Sequence, residues 1–266
     1  MRCALLPFLA LLACAPRQEP AASPAAPAAA SPAPPAPASP APPAQPFGGD
    51  PAALRLHMGE RLTLLTQARD QLVRGDDTQA RASLERLARL DVEPGLPPGW
   101  DVWLKGMSEQ AGRGSASADA GTLAAAVAQA ANQCGGCHQA LARRVALPHP
   151  GPAPTAVSGS EPSGDPGVAR HMEGHQWAVD RMWAGLVEPS DRAWAESLQV
   201  LTQPALDTLS LEVGAVESQA VAAATMKVHE LAQDGLSDDN PDTRADLYGQ
   251  VLSACASCHA LQREGG

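Results

Sequence analysis

The sequence Cys134-Gly135-Gly136-Cys137-His138 recurs as Cys255-Ala256-Ser257-Cys258-His259, an offset of 121 residues, and the segments before the two copies also correspond. Further upstream, His57-Met58 falls on His171-Met172 at an offset of 114 residues. The second copy therefore carries seven extra residues in its middle. This correspondence between the two segments indicates a duplicated structural unit whose last segment carries the motif.

Both copies have the hydrophobic period of amphipathic helices, and no segment alternates as a strand does. In the first copy Asp50-Pro51 opens a helix that ends at Gly75, and Asp76 and Asp77 cap a second helix that ends before Pro94. A third helix is predicted from about Gly99 to Arg113 and a fourth from about Asp119 to Val145. In the second copy the corresponding signals are Asp165-Pro166, Ser190, a longer third helix from Leu209 to Leu231, and Asn240-Pro241. The sequence thus predicts an all-α chain of two tandem four-helix bundles.

The composition limits which side chains can form the core and which partners the chain can bind. Phe, Trp and Tyr make up 3% of the 266 residues, so the core must consist mainly of Leu, Val, Ala and Met. The formal net charge is −10, and no run of basic residues offsets it. Nucleic acid is therefore excluded as the default partner.

The N-terminal segment has the features of an export signal. Residues 1–13 combine Arg2 with a short apolar run and precede Cys14 in a sequence that resembles the lipobox of bacterial lipoproteins. Cys14 is the expected lipidation site; the alternative is an ordinary secretory signal cut nearby. Residues 14–49 then form a predicted extended tether, since residues 15–46 contain 12 Pro and 13 Ala. We expect an exported, membrane-anchored chain with domains at 50–146 and 165–266, joined by the Pro/Gly linker 147–164.

The two motifs carry the predicted chemistry. On a helix, the two thiols and the following His of Cys-x-x-Cys-His lie on one face. This arrangement suits a haem whose vinyl groups take the thiols as thioethers while the His binds iron. A dithiol redox pair, half of a zinc site and a disulfide framework are the alternatives. The sequence predicts two covalent haem c groups, attached through the residues Cys134, Cys137, Cys255 and Cys258, with His138 and His259 as proximal iron ligands.

The placement of the motifs indicates which class of c-type cytochrome the sequence resembles. His259 has only seven residues after it, so a distal ligand must come from an earlier helix. A four-helix bundle with Cys-x-x-Cys-His on its last helix resembles cytochrome c′ and its low-spin relatives. That resemblance implies that the first helix of each copy faces the distal side of the haem.

The first helices carry candidate distal ligands on one apolar face. In the second copy this face consists of Val168, Met172, His175, Val179, Met182 and Leu186. Met58 corresponds to Met172, whereas Arg61 stands where the second copy has His175. Three interpretations remain: Met58 and Met172 are sixth ligands, His175 ligates the second haem, or one or both irons are five-coordinate. His57 and His171 lie beside this face and are expected at the haem edge or the surface rather than as ligands. His229 is expected on a helix surface.

The predicted function is electron transfer to redox partner proteins of the cell envelope, with no enzymatic activity and no catalytic residues. The alternative is a cytochrome c′-type module that binds nitric oxide or senses redox state. A haem enzyme such as a peroxidase is disfavoured, because neither copy offers an evident acid/base pair.

Overall fold

A computed structural model describes residues 50–92, 96, 99–141, 147–148, 150–154, 165–203, 215–236 and 240–264. Within these ranges the secondary structure is helical and contains no strand, so the all-α prediction is confirmed. The helices are α1 (Pro51–Val73), α2 (Asp77–Ala88), α3 (Asp101–Ser115), α4 (Ala120–Ala140), α5 (Asp165–Val187), α6 (Asp191–Leu201), α7 (Ala215–Gly235) and α8 (Pro241–Glu264).

The helix boundaries follow the sequence repeat. Helices α1 and α5 both have 23 residues and begin and end at corresponding positions. Helices α4 and α8 also begin at corresponding positions, Ala120 and Pro241. Helix α7 has 21 residues and α3 has 15, which confirms that the second copy has the longer third helix. Leu209, named in that prediction, lies outside the described residues, as do residues 142–146 at the predicted end of the fourth helix.

Side chains at the predicted N-caps accept backbone hydrogen bonds. Asp50, Asp76, Asp119 and Ser190 accept from backbone N–H groups at distances of 2.8, 3.1, 2.7 and 3.2 Å. Asn240 caps α8 in the same way by accepting from Asp242 at 3.0 Å. Each cap satisfies a donor that the first turn of a helix leaves without an intrahelical partner. The helix starts are therefore fixed locally by sequence.

The core is built mostly from small and medium aliphatic side chains. Leu65, Leu72 and Leu123 are fully buried, and α4 contributes a series of buried alanines. No Phe lies among the buried side chains of the described residues, in line with the prediction from composition. Buried aromatic residues occur in the second copy, where Trp183 and Trp194 line the core together with Tyr248. The two copies therefore contribute different side chains to the core from similar helices.

All of the described residues belong to one compact unit in which the two copies pack against each other. Helices α4 and α8 are antiparallel neighbours: Asn132 donates to Asp242 at 2.8 Å, and Gln129 donates to Asp246 at 2.7 Å. Further along, a Cβ built on Gly249 would lie 3.0 Å from the Ala125 Cα. This close backbone approach favours glycine at position 249.

Side chains of α1 and α5 also make contacts between the copies. Arg69 of α1 pairs with Asp180 of α5 at 2.9 Å, and its guanidinium lies 5.1 Å from the ring centroid of Trp183. Arg69 and Trp183 are corresponding residues of the two copies, as are the helices α4 and α8. Contacts between corresponding elements are what an approximate two-fold arrangement of the copies produces.

Candidate functional site

The first motif lies near the C-terminal end of α4, where neighbouring helices approach its glycines closely. A Cβ on Gly135 would stand 2.0 Å from the carbonyl oxygen of Leu186, and a Cβ on Gly136 would stand 2.5 Å from the Trp103 ring. The two residues between Cys134 and Cys137 are therefore small because α5 and α3 occupy the space beside them.

Cys134 and Cys137 are free thiols in half-buried positions. Burial, together with the neighbouring Cys137, raises the pKa of Cys134 to about 12, although the positive charge of Arg61 acts in the opposite direction. Burial also raises the pKa of Cys137 to about 11. Neither thiol is an activated thiolate at neutral pH, which disfavours the dithiol redox alternative.

His138 is oriented by the other copy of the repeat. Its Nδ1 lies 2.7 Å from the carbonyl oxygen of Val187, at the end of α5. Because a carbonyl can only accept, Nδ1 carries the proton and Nε2 is the unprotonated nitrogen of the neutral ring. Histidines that ligate metals commonly donate their other ring N–H to a backbone carbonyl in this way. Nε2 of His138 is therefore the ring nitrogen that could bind a metal ion.

The distal face predicted for the first copy contains a buried cation. Arg61 on α1 is 2% exposed and donates from Nη2 to the carbonyl oxygen of Asp91. Its positive charge acts on Cys134 in the direction that lowers the pKa of that thiol. Met58 is half-buried one turn before Arg61 on α1.

The second motif lies on α8, and its cysteines resemble those of the first. Cys255 and Cys258 are free and half-buried. Burial and the neighbouring Cys258 raise the pKa of Cys255 to about 12, and burial also raises the pKa of Cys258. His259 is half-buried beside them.

Helix packing brings the N-terminal half of α5 to the level of this motif. Arg244 at the start of α8 pairs with Asp191, just beyond the end of α5, at 2.7 Å, while Tyr248 donates to the Val179 carbonyl oxygen at 3.3 Å. The helices are therefore antiparallel. Cys255 follows Tyr248 by two turns, so it lies level with the part of α5 that contains His175.

Three histidines of the second copy converge in this region. His171 and His175 lie one turn apart on α5, with ring centroids 4.3 Å apart, and His229 of α7 lies 6.3 and 5.9 Å from them. One ring nitrogen from each lies within 4.8 Å of the others. Burial, followed by the neighbouring histidines, lowers the pKa of His175 to about 3.

This histidine cluster corrects one expectation. His229 was expected on a helix surface, but it is half-buried and its Nε2 is buried. His171, expected at the haem edge or the surface, is also half-buried with a buried Nε2. The spacing of His171 and His175 signals a shared helix face. Nothing in the sequence links His229 to them, because only the tertiary fold brings this side chain of α7 to the two rings on α5. The other distal candidate, Met172, is 36% exposed.

The two motifs are far apart along the paired helices. The antiparallel contacts place Cys255 opposite residue 119, whereas Cys134 lies 15 residues farther along α4. At 1.5 Å per residue this is a separation of about 20 Å. The arrangement keeps two distinct sites in one compact unit.

No protein-family model, curated protein or solved structure matches this chain. Among the described helices, none is long and apolar enough to cross a membrane. The predicted signal, Cys14 and the tether lie outside the described residues.

Proposed function

We propose that this chain is a dihaem c-type cytochrome that transfers electrons in the bacterial cell envelope, with one haem c in each of two tandem four-helix bundles. The observation that carries the proposal is the Cys-x-x-Cys-His motif at corresponding places on α4 and α8. Both cysteine pairs are free and half-buried on helices. No strand accompanies them among the described residues, as a thioredoxin-like pair would require.

The residues present fit this group. Cys134 and Cys137 would hold the first haem, with His138 as its proximal ligand, and the hydrogen bond to Val187 favours the required tautomer. Cys255, Cys258 and His259 would hold the second. The bound haem supplies reversible one-electron chemistry, and the protein tunes its potential through ligands, hydrogen bonds and burial.

Met58 and Met172 are the proposed sixth ligands. They occupy corresponding positions on α1 and α5, the helices that the resemblance to cytochrome c′ assigns to the distal side. Three residues later the copies differ, with the buried cation Arg61 in one and the buried imidazole His175 in the other. A nearby positive charge stabilises the reduced iron centre relative to the oxidised one, so we expect the first haem to have the higher potential.

The proposed cellular location rests on the sequence of the N-terminal segment. Residues 1–13 would direct export, lipidated Cys14 would anchor the chain to a membrane, and the Pro/Ala-rich tether would hold the helical unit away from it. The net charge of −10 favours docking on basic redox partner proteins.

Visible spectra of the purified protein test the electron-transfer proposal. We expect a reversible ferric to ferrous change in two low-spin haems, with no change when carbon monoxide is added to the reduced protein. Met58→Leu and Met172→Leu keep the side-chain volume and remove the sulfur, so each is expected to open one haem to carbon monoxide. Carbon monoxide binding by the unmodified protein would contradict six-coordination by Met58 and Met172.

A second candidate is nitric oxide binding at the first haem. The observation that favours it is Arg61, which is 2% exposed and close enough to Cys134 to influence its pKa. A buried guanidinium can stabilise a polar diatomic ligand by donating a hydrogen bond. This candidate requires carbon monoxide to bind one haem of the unmodified protein and Arg61→Leu to weaken that binding.

A further inference from the structure

The histidine cluster of His171, His175 and His229 has an unusual shortage of hydrogen bonds. Each residue has a buried Nε2 with no hydrogen-bond partner among the described residues. His175 is the most enclosed, with 9% of its surface exposed. Burying a ring nitrogen without a partner is energetically unfavourable, and here three such nitrogens occur together.

The three rings are placed to share a single partner. One ring nitrogen from each lies within 4.8 Å of the others, and the three residues come from two helices, α5 and α7. Three imidazoles around one zinc ion at 2.0–2.1 Å have nitrogens about 3.4 Å apart. Side-chain movements of about 1 Å would therefore bring His171, His175 and His229 to ligand distances.

From this geometry we propose that His171, His175 and His229 bind a divalent transition-metal ion, separate from the two haem irons. Neutral imidazole is a ligand that zinc, copper and nickel all favour. One ion would bind a ring nitrogen of each histidine at once. A haem iron offers one distal position, so it would engage only one of them and leave two unsatisfied.

The first copy lacks this cluster. The cluster is therefore not part of the duplicated haem motif. The corresponding positions there are His57, Arg61 and Ser108. Only one of the three is a histidine, and Arg61 would place a positive charge where the metal lies. A feature needed for haem attachment would be expected in both copies, whereas this one belongs to the second alone.

The three histidine ligands determine which fourth ligand the metal ion would bind. The three imidazoles are neutral, and no Asp, Glu or Cys belongs to the cluster among the described residues. The ion therefore keeps its +2 charge and has an open coordination position. This combination favours hydroxide or a small anion as the fourth ligand.

Zinc is the probe for this site. The untagged, haem-loaded full chain is treated with chelator and then dialysed against buffered Zn²⁺, and metal analysis counts zinc while a haemochrome assay counts haem. We expect one zinc ion per chain. His175→Ala and His229→Ala should weaken binding by about 100-fold or more, because each removes a ligand rather than an outer-shell partner.

His57→Ala is the matched control, because His57 corresponds to His171 but lies in the copy without the cluster. It should leave zinc binding unchanged. Zinc should also raise the melting temperature of the unmodified protein and not that of the His175→Ala and His229→Ala variants, which separates lost binding from poor folding.

The site would be disproved by the absence of bound zinc, or by equal binding to the unmodified protein and both cluster variants. A His175→Ala spectrum that shows a lost haem ligand would also overturn it, because the imidazole would then serve the haem iron. A chain that binds zinc but carries no haem would instead disprove the proposed cytochrome function and leave the metal site standing.

Discussion

Gly135 shows how one missing side chain sets the distance between two helices. A Cβ at this position would lie 2.0 Å from the backbone oxygen of Leu186, and backbone cannot rotate away as a side chain can. The same contact region holds His138 against the Val187 carbonyl. The packing of α4 on α5 and the orientation of the proposed haem ligand therefore depend on the same close approach.

Gly135→Ala tests this approach. We expect the free energy of unfolding, measured with urea, to fall by about 2–3 kcal/mol, because the helices must separate to admit the methyl group. Gly59→Ala is the control, since nothing lies within 4 Å of a Cβ built there on α1. That substitution should be neutral or stabilise the protein by up to about 1 kcal/mol. Similar effects of the two substitutions would refute the close packing.

At the scale of elements, an ion-pair cluster joins α5 to α6. Glu196 accepts from the Arg181 Nη2 at 2.6 Å and from the Arg192 Nε at 2.7 Å. The hydrogen bonds from Arg192 and then Arg181 lower the pKa of Glu196 below its usual value. A carboxyl whose pKa is lowered on folding stabilises the protein above its unfolded pKa, and this stabilisation is lost as the pH falls through the folded value.

Glu196→Gln should therefore destabilise the protein at pH 7 by less than about 1 kcal/mol, as expected for a partly exposed pair. The difference from the unmodified protein should shrink as the pH falls below about 4.3, the ordinary pKa of Glu, and vanish at lower pH. Chemical unfolding across this pH range measures it. Glu109→Gln, at an exposed position on α3, is the control. A difference that did not vary with pH would contradict the account.

Local signals explain why the helices could be predicted from the sequence. Asp50, Asp119 and Ser190 are capping residues whose hydrogen bonds reach only two or three residues along the chain. The histidine cluster could not be predicted in the same way. His229 joins His171 and His175 only because the fold brings these side chains of α7 and α5 together, a contact between residues more than 50 positions apart that no periodic pattern records.

At the scale of the whole molecule, the duplication gives two similar motifs in unlike surroundings. The antiparallel pairing of α4 and α8 sets the motifs about 20 Å apart along the helix axes. Around the first motif lies the buried cation Arg61, and near the second lies a cluster of neutral histidines. We infer that the copies have become functionally distinct while keeping the same helix order.

The intact mass of the exported protein after denaturation tests covalent haem attachment at both motifs. We expect this mass to exceed that of the mature polypeptide by the mass of two haem groups. Replacing both Cys255 and Cys258 by Ala should leave one haem. Replacing both Cys134 and Cys137 by Ala should also leave one haem. A denatured chain with no added haem mass, produced where c-type cytochromes mature normally, would contradict the account.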